Sequence, residues 1–264
     1  MNTSTEINDY LEFAKQTAVK AAIIFKKYFE NDAHTEYKEN NTPVTVADKE
    51  INRLVIQEIQ IAYPGHDVLG EEESSLENDS DWVWICDPID GTNVFTWRLP
   101  YACFMLALTH KGKVLVSVIY DVSSDRMYYA SKDGGAYCNG ESITVNSDSN
   151  ISKLVVECSG STSKYVNPGE LKKNVEIGCH RLAVLMCVAQ GNIIVANGSI
   201  GGQIFVGQTA HDMAAPSLLV AEAGGKVTDL FGDEQDFTHE VKGMVCSNGL
   251  IHDELLEIVQ KSLK

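Results

Sequence analysis

Apolar residues recur at intervals of three and four across residues 6–30, with Ile7, Leu11, Ala14, Ala18, Ala21 and Phe25 on one side. That spacing predicts an amphipathic helix. A polar stretch, ENDAHTEYKENNTP, reads as a loop leading into a strand. Ile51, Leu54, Val55, Ile59 and Ala62 predict a second helix over 46–62, broken by YPGHD. DVLG at 67–70 reads as a short strand and EEESSLENDSD as a solvated acidic loop. WVWIC at 82–86 is apolar without alternation, the signature of a strand covered on both faces.

From 101 onward the pattern turns to strands. Segments 102–110 and 114–121 flank Lys111-Gly112-Lys113 as a hairpin, and RMYYAS at 126–131 adds another strand. DGGAYCNGES is turn-rich and closes a first lobe near residue 145. Beyond it the chain predicts a strand at 153–159, a helix at 181–190, a strand at 193–197 and a helix from about 213 to 223. Asp212 is the expected N-cap of that last helix, Gly224-Gly225 the expected end, and Pro216 falls in or near its first turn. Strands at 225–230 and 243–248 and a tail helix from 250 complete the chain. The expectation is a mixed α/β (α+β) protein of helices layered on sheets, with lobes 1–145 and 146–264.

Charge narrows the function. The net charge of −16, from 37 acidic against 21 basic residues, argues against a nucleic-acid surface. It also means that an anionic substrate needs a local source of positive charge. No apolar run approaches a membrane span, and the polar start MNTSTEINDYLEF lacks a signal-peptide pattern. Seven scattered cysteines without a CxxC pair point to reduced thiols in a cytosolic protein rather than to a zinc site.

The chemistry concentrates in ICDPIDGT, residues 85–92. Asp87 ends the apolar strand, Pro88 keeps it extended, and a tight turn is expected to bring Asp90 back beside it. Gly91 permits a close backbone approach; if a helix starts here, the amides of Gly91 and Thr92 form an anion site. A hard divalent cation such as Mg²⁺ bridges two such carboxylates; a strand–turn–helix connection with an aspartate cap is the plain alternative. Glu71 follows a predicted strand, and Asp48 and Asp212 head predicted helices. No GxSxG, P-loop or HExxH pattern offers a different mechanism.

PVTVADKEIN, VLGEEES, WVWICDPIDGTNVF, DGGAYCNGE and HDMAAPSLLVAEAGG occur together and in order. This combination resembles the inositol monophosphatase family of Mg²⁺-dependent, lithium-sensitive phosphatases. The resemblance implies an α-β-α-β-α sandwich of the inositol monophosphatase/fructose-1,6-bisphosphatase type, two to three Mg²⁺ ions, attack by a metal-activated water, a homodimer and a cytoplasmic location. By the same resemblance Glu71, Asp87, the Ile89 carbonyl, Asp90 and Asp212 are metal ligands. Asp48, Thr92 and Glu71 are catalytic, with Asp48 and Thr92 orienting and deprotonating the water. The Gly91 and Thr92 amides match the phosphate cradle and Glu72 supports the site; Asn93, Arg181 and Asp212 are further candidate substrate contacts. Electrostatics agrees: two unit charges about 4 Å apart interact by roughly 4 kcal/mol at an intermediate dielectric, so a nest of carboxylates excludes phosphate until cations reverse its field.

Substrate choice is less well matched. The family's Asn-Phe pair is shifted, leaving Asn93, Val94 and Phe95. His211 stands where the family has Trp, either contacting substrate or packing. His180 and Arg181 open a stretch where relatives carry R-x-x-G and a small residue; Arg181 meets a second anionic group or is a plain surface arginine. Phe205 replaces a glutamate expected to reach inositol hydroxyls, within a glycine-rich 198–207 segment read as a flexible loop. Inositol 1-phosphate or a related sugar or polyol phosphate is the expected substrate. Histidinol phosphate, 3′-phosphoadenosine 5′-phosphate and fructose 1,6-bisphosphate are alternatives, and a non-catalytic metal-binding regulator is the remote one.

Overall fold

The computed structural model of the chain describes residues 4–31, 35–38 and 43–264. Helix α1 (Ser4–Glu30) leads to the short antiparallel pair β1 (Thr35–Tyr37) and β2 (Pro43–Thr45). The rest of the polar stretch expected as a loop, residues 32–34 and 39–42, lies outside the described residues. Helix α2 (Val46–Ala62) starts at a reciprocal cap: the Thr45 hydroxyl accepts the Ala47 and Asp48 amides, and Asp48 accepts the Thr45 amide.

A seven-stranded sheet follows in sequence order: β3 (Asp67–Gly70), β4 (Trp82–Asp90), β5 (Cys103–His110), β6 (Lys113–Asp121), β7 (Arg126–Ser131), β8 (Gly135–Cys138) and β9 (Glu141–Ser142). Only β3 and β4 run parallel; the other pairs are antiparallel. A five-residue helix, α3 (Thr92–Thr96), interrupts the β4–β5 connection. The turn-rich 133–142 stretch therefore holds two strands.

The remaining chain builds a five-stranded sheet in the order β11-β10-β12-β14-β13. Its elements are β10 (Val155–Ser159), α4 (Pro168–Gly178), β11 (Arg181–Ala183), α5 (Val188–Ala196), β12 (Gly202–Phe205), α6 (Ala210–Glu222), β13 (Lys226–Thr228), β14 (Met244–Ser247) and α7 (His252–Gln260). Helices α1 and α2 cover one face of the large sheet, α5 and α6 lie between the two sheets, and α4 and α7 cover the outer face of the small one. The order of layers is α-β-α-β-α. Among the described residues no helix is long and apolar enough to cross a membrane.

Several expectations for the second half are corrected. The helix expected at 181–190 is strand β11, a connection and the first three residues of α5, and the strand expected at 193–197 falls on the rest of α5 and its C-cap, Asn197. Helix α5 is buried on nearly every side, so its apolar residues show no helical stripe, and Ile193-Ile194-Val195 imitates a strand. The expected glycine loop contains β12, a central strand. A Cβ at Gly202 would fall 2.7 Å from the Cys246 carbonyl oxygen, so glycine is what lets the neighbouring chain approach. Helix α4, capped by Asn167, was not anticipated. Helix α6 begins at Ala210 after Thr209, which places Asp212 within the first turn and Pro216 inside the helix.

Phe25 joins the outer helix to the site. It is 1% exposed and meets the Phe95 ring edge-on at 4.8 Å, holding α3 against α1. Phe25→Ala is expected to cost about 3–5 kcal/mol of stability, measured by denaturant unfolding.

Candidate active site

The carboxylates converge where the parallel strands β3 and β4 end. The Glu71 amide donates to the Cys86 carbonyl (3.1 Å), which sets Glu71 beside Asp87 on the next strand. Strand β4 continues through Asp90 rather than stopping at residue 86, and the expected tight turn is a register shift between Asp87 and Asp90. Pro88 has no amide to give to a ladder, so an irregularity is where a sheet tolerates it. The Asp87 Oδ1 accepts the Ile89 amide at 3.0 Å.

Asp90 faces the start of α5. Its Oδ1 accepts the Val188 amide (3.1 Å), and its Oδ2 accepts the Ala189 amide (2.6 Å) and the Cys187 thiol (3.0 Å). Asp212 reaches in from α6, with its carboxylate taking a short hydrogen bond from the Thr209 hydroxyl. One carboxylate oxygen from each of Asp87, Asp90 and Asp212 lies within 4.8 Å of the others. Thr92 Oγ1 stands 3.2 Å from the Ile89 carbonyl and 3.5 Å from Asp48 Oδ1.

These groups line a cleft of about 400 Å³ that also includes Lys38, Ile89, Gly91, Thr209 and His211. The structure thus brings Glu71, Asp87, Ile89, Asp90, Gly91, Thr92 and Asp212 together, with Asp48 in contact through Thr92. Asn93 and Arg181 are not among the lining residues. Asn93 sits one position into α3, and Arg181 is exposed at the start of edge strand β11, paired with Val155. Phe205 is buried in β12 and brings no carboxylate.

Two supporting residues carried no sequence signal. Lys38 Nζ bridges Glu71 (3.1 Å) and Glu72 (2.6 Å). Asn52 of α2 donates to the Glu73 carbonyl and accepts the Glu72 amide, pinning the loop that carries Glu71. A lone Lys or Asn without a motif is invisible at the level of pattern.

The carboxyls resist ionisation. Burial chiefly raises Asp87 well above the ordinary range, with Glu71, Asp90, Asp212 and Asp48 adding repulsion. Burial and then Asp212 push Asp90 up to about 7, against the Cys187, Ala189 and Val188 hydrogen bonds. Asp48 also stands at about 7, mainly through burial and despite its bonds from Thr45. Asp212 is raised by burial, with His211 opposing. Among the described residues no Lys or Arg pairs with Asp87, Asp90 or Asp212. A buried, oxygen-only donor set that lacks its own cations fits a hard divalent metal ion.

The family model of the Inositol monophosphatase family matches residues 6–264. The chain belongs to the inositol monophosphatase family. It is 33% identical to the "Fructose-1,6-bisphosphatase/inositol-1-monophosphatase" of Thermotoga maritima, over 83% of this chain and 82% of that one. It is 30% identical to the "Inositol monophosphatase" of Dictyostelium discoideum, over 96% of both. It is likewise 30% identical to the "Nus factor SuhB" of Pasteurella multocida, over 97% and 98%. The solved structure of Thermotoga maritima IMPase superposes with a TM-score of 0.86 at 29% identity, covering 96% of this chain and 97% of that one. The extragenic suppressor protein suhB from Bartonella henselae gives 0.87 at 26%, covering 96% and 99%. As a member of this metal-dependent family the protein is a phosphatase, a phosphoric monoester hydrolase.

Gly91 lies at φ +82°, and a Cβ there would sit 3.2 Å from Cys187 Cβ and 3.4 Å from the Met186 carbonyl oxygen. Gly91→Ala is expected to lose about 1–2 kcal/mol from the left-handed backbone alone. Thermal melting beside an assay of phosphate release reads both consequences, because any shift displaces Asp90 as well.

Proposed function

We propose that this phosphatase hydrolyses inositol 1-phosphate or a related sugar or polyol monophosphate with two to three Mg²⁺ ions. The observation that carries the reading is the trio Asp87, Asp90 and Asp212, converging from two strand positions and a helix beside Glu71. Glu71, Asp87, the Ile89 carbonyl, Asp90 and Asp212 would hold the metal, with lobes 1–145 and 146–264 both contributing ligands to the cleft. Bound metal supplies charge neutralisation, Lewis acidity and a lowered water pKa.

The protein's own groups do the rest. Thr92 and Asp48 orient the attacking water, and Asp48, with its carboxyl near neutrality, takes the proton at Oδ1. The Gly91 and Thr92 amides face the phosphate. Lys38 is the nearest cation to Glu71 and Glu72 and offsets part of their charge. Asn93 and Arg181, which lie outside the cleft lining, act on the substrate's outer part. The name of the Thermotoga relative favours a second reading, in which a bisphosphate such as fructose 1,6-bisphosphate is also accepted.

A homodimer in the cytoplasm completes the reading. The test is phosphate release with and without Mg²⁺ from inositol 1-phosphate, glycerol phosphate, fructose 1,6-bisphosphate, histidinol phosphate and 3′-phosphoadenosine 5′-phosphate. Mg²⁺-dependent release from the polyol phosphates, suppressed by millimolar lithium, is the expected result. Release confined to histidinol phosphate or the nucleotide would overturn the substrate assignment. No release from any of them would favour a metal-binding regulator.

A further inference from the structure

Helix α5 is gripped from both sides at one residue, Val188. On the cleft side Asp90 accepts the Val188 amide. On the far side the Val188 carbonyl accepts the side-chain amides of Asn192 (2.9 Å) and Gln203 (3.2 Å). Gln203 is 1% exposed on β12, and its Oε1 takes a short hydrogen bond from Asn192 Nδ2. Its Nε2 also lies 3.4 Å from Ser159 Oγ. Ser159 in turn donates to Glu157 Oε1 (2.6 Å), the oxygen that accepts the Leu185 amide (3.1 Å) in the connection entering α5. The buried network therefore fixes Leu185, just before the Cys187–Ala189 segment against which Asp90 rests, and Val188 within it.

The fold accepts real penalties to keep this arrangement. Glu157 Oε2 and Asn192 Oδ1 are buried without a hydrogen-bond partner, and such groups cost about 1–3 kcal/mol each. Gly191 lies inside α5, where glycine is about 1 kcal/mol worse than alanine. A Cβ at Gly191 would fall 2.3 Å from Gln203 Nε2, so the glycine makes room for that one side chain. Apolar residues at 157, 192 and 203, with alanine at 191, would avoid these penalties between a strand and the helix stacked on it. The far end of the network is the carboxylate cleft, which is where the benefit of the arrangement falls.

We propose that Gln203, supported by Glu157, is a positioning residue for Asp90. It holds the first turn of α5 so that the Val188 and Ala189 amides aim the Asp90 carboxylate at the metal. The inference rests on reading Asp90 as a metal ligand. It goes beyond that reading by placing part of the metal affinity in a strand that does not line the cleft.

The experiment is calorimetric titration of the full chain with Mg²⁺, without substrate, accompanied by thermal melting. The variants are Gln203→Met, Gly191→Ala, Asp90→Asn and the double variant Gln203→Met/Asp90→Asn. Gln203→Met is expected to weaken Mg²⁺ binding about tenfold, as losses behind a ligand do. Gly191→Ala should weaken it in the same direction, and it carries the comparison if Gln203→Met does not fold. In the Asp90→Asn background Gln203→Met should add no further loss, whereas general destabilisation would add the same factor again. Unchanged Mg²⁺ binding in folded Gln203→Met and Gly191→Ala, with binding weakened in Asp90→Asn, would overturn the positioning role and leave the ligand reading intact. A full further loss in the double variant would overturn it too. Wild-type binding by Asp90→Asn would instead remove the ligand reading on which the proposal stands.

Discussion

Asp87→Asn is expected to slow phosphate release by about a thousandfold, roughly 4 kcal/mol of transition-state stabilisation, while making the metal-free protein more stable. Asp87 is the hub of the cleft: it is 2% exposed, and Glu71, Asp90, Asp212 and Asp48 all raise its pKa. A carboxamide has the same shape, and its oxygen can still accept the Ile89 amide that Asp87 Oδ1 accepts at 3.0 Å. What it removes is the charge. Without metal, that charge is a liability, because burial and four neighbouring carboxylates oppose it; neutralising it should add about 1–2 kcal/mol. For a chain of this size that raises the melting temperature by roughly 2–4 °C per kcal/mol. With metal, the same charge is a ligand, and its loss removes catalysis. Melting curves without Mg²⁺ and turnover with it should therefore move in opposite directions. A variant that melts lower and turns over normally would contradict the view that the Asp87 charge opposes the metal-free fold and serves as a metal ligand.

Much of the fold and of the cleft is legible in the sequence, for reasons that differ between segments. Helix α2 and strands β3 and β7 have the predicted limits because each is one-sided or bounded by clear breakers, as YPGHD bounds α2. The acidic cleft is legible because Asp90 ends β4, Glu71 directly follows β3, Asp87 closes the apolar run of β4 at its register shift and Asp48 sits at a helix start, where pattern and chemistry coincide. The second half read poorly where tertiary packing overrides local preference. Helix α5 is enclosed by two sheets, so Ile193 and Val195 look like strand residues. Gly202 looks like part of a loop but admits a close neighbouring chain in β12. Lys38, Asn52 and Gln203 reach the site through contacts between segments far apart in sequence. No spacing rule encodes such contacts.

Metal and pH should act on stability with opposite signs. Asp48 and Asp90 stand at about 7 in the fold against an ordinary 3.8. The folded state therefore binds more protons than the unfolded chain between those values. Stability of the metal-free protein from these groups is full below the ordinary carboxyl pKa and falls as pH rises toward 7, after which it is flat. Asp67, whose pKa is lowered, acts only below the ordinary carboxyl value. His66 and His252 oppose the trend, since burial lowers both, His252 to about 4, and each loses stability as pH falls below 6.5. The quantity to read is thus the difference in melting temperature between wild type and Asp90→Asn across pH, in which the histidines cancel. Without metal, wild type should lose ground to the variant as pH rises through the window. Saturating Mg²⁺ should reverse this, because it binds the ionised carboxylates: a hundredfold excess over Kd adds about 2.7 kcal/mol, or roughly 5–10 °C. That gain should shrink on acidification from about pH 8 to about pH 5, as protons compete for the same oxygens. An Mg²⁺-induced shift equal at both pH values, or a metal-free difference without slope, would mean that Asp90 does not titrate in competition with a cation.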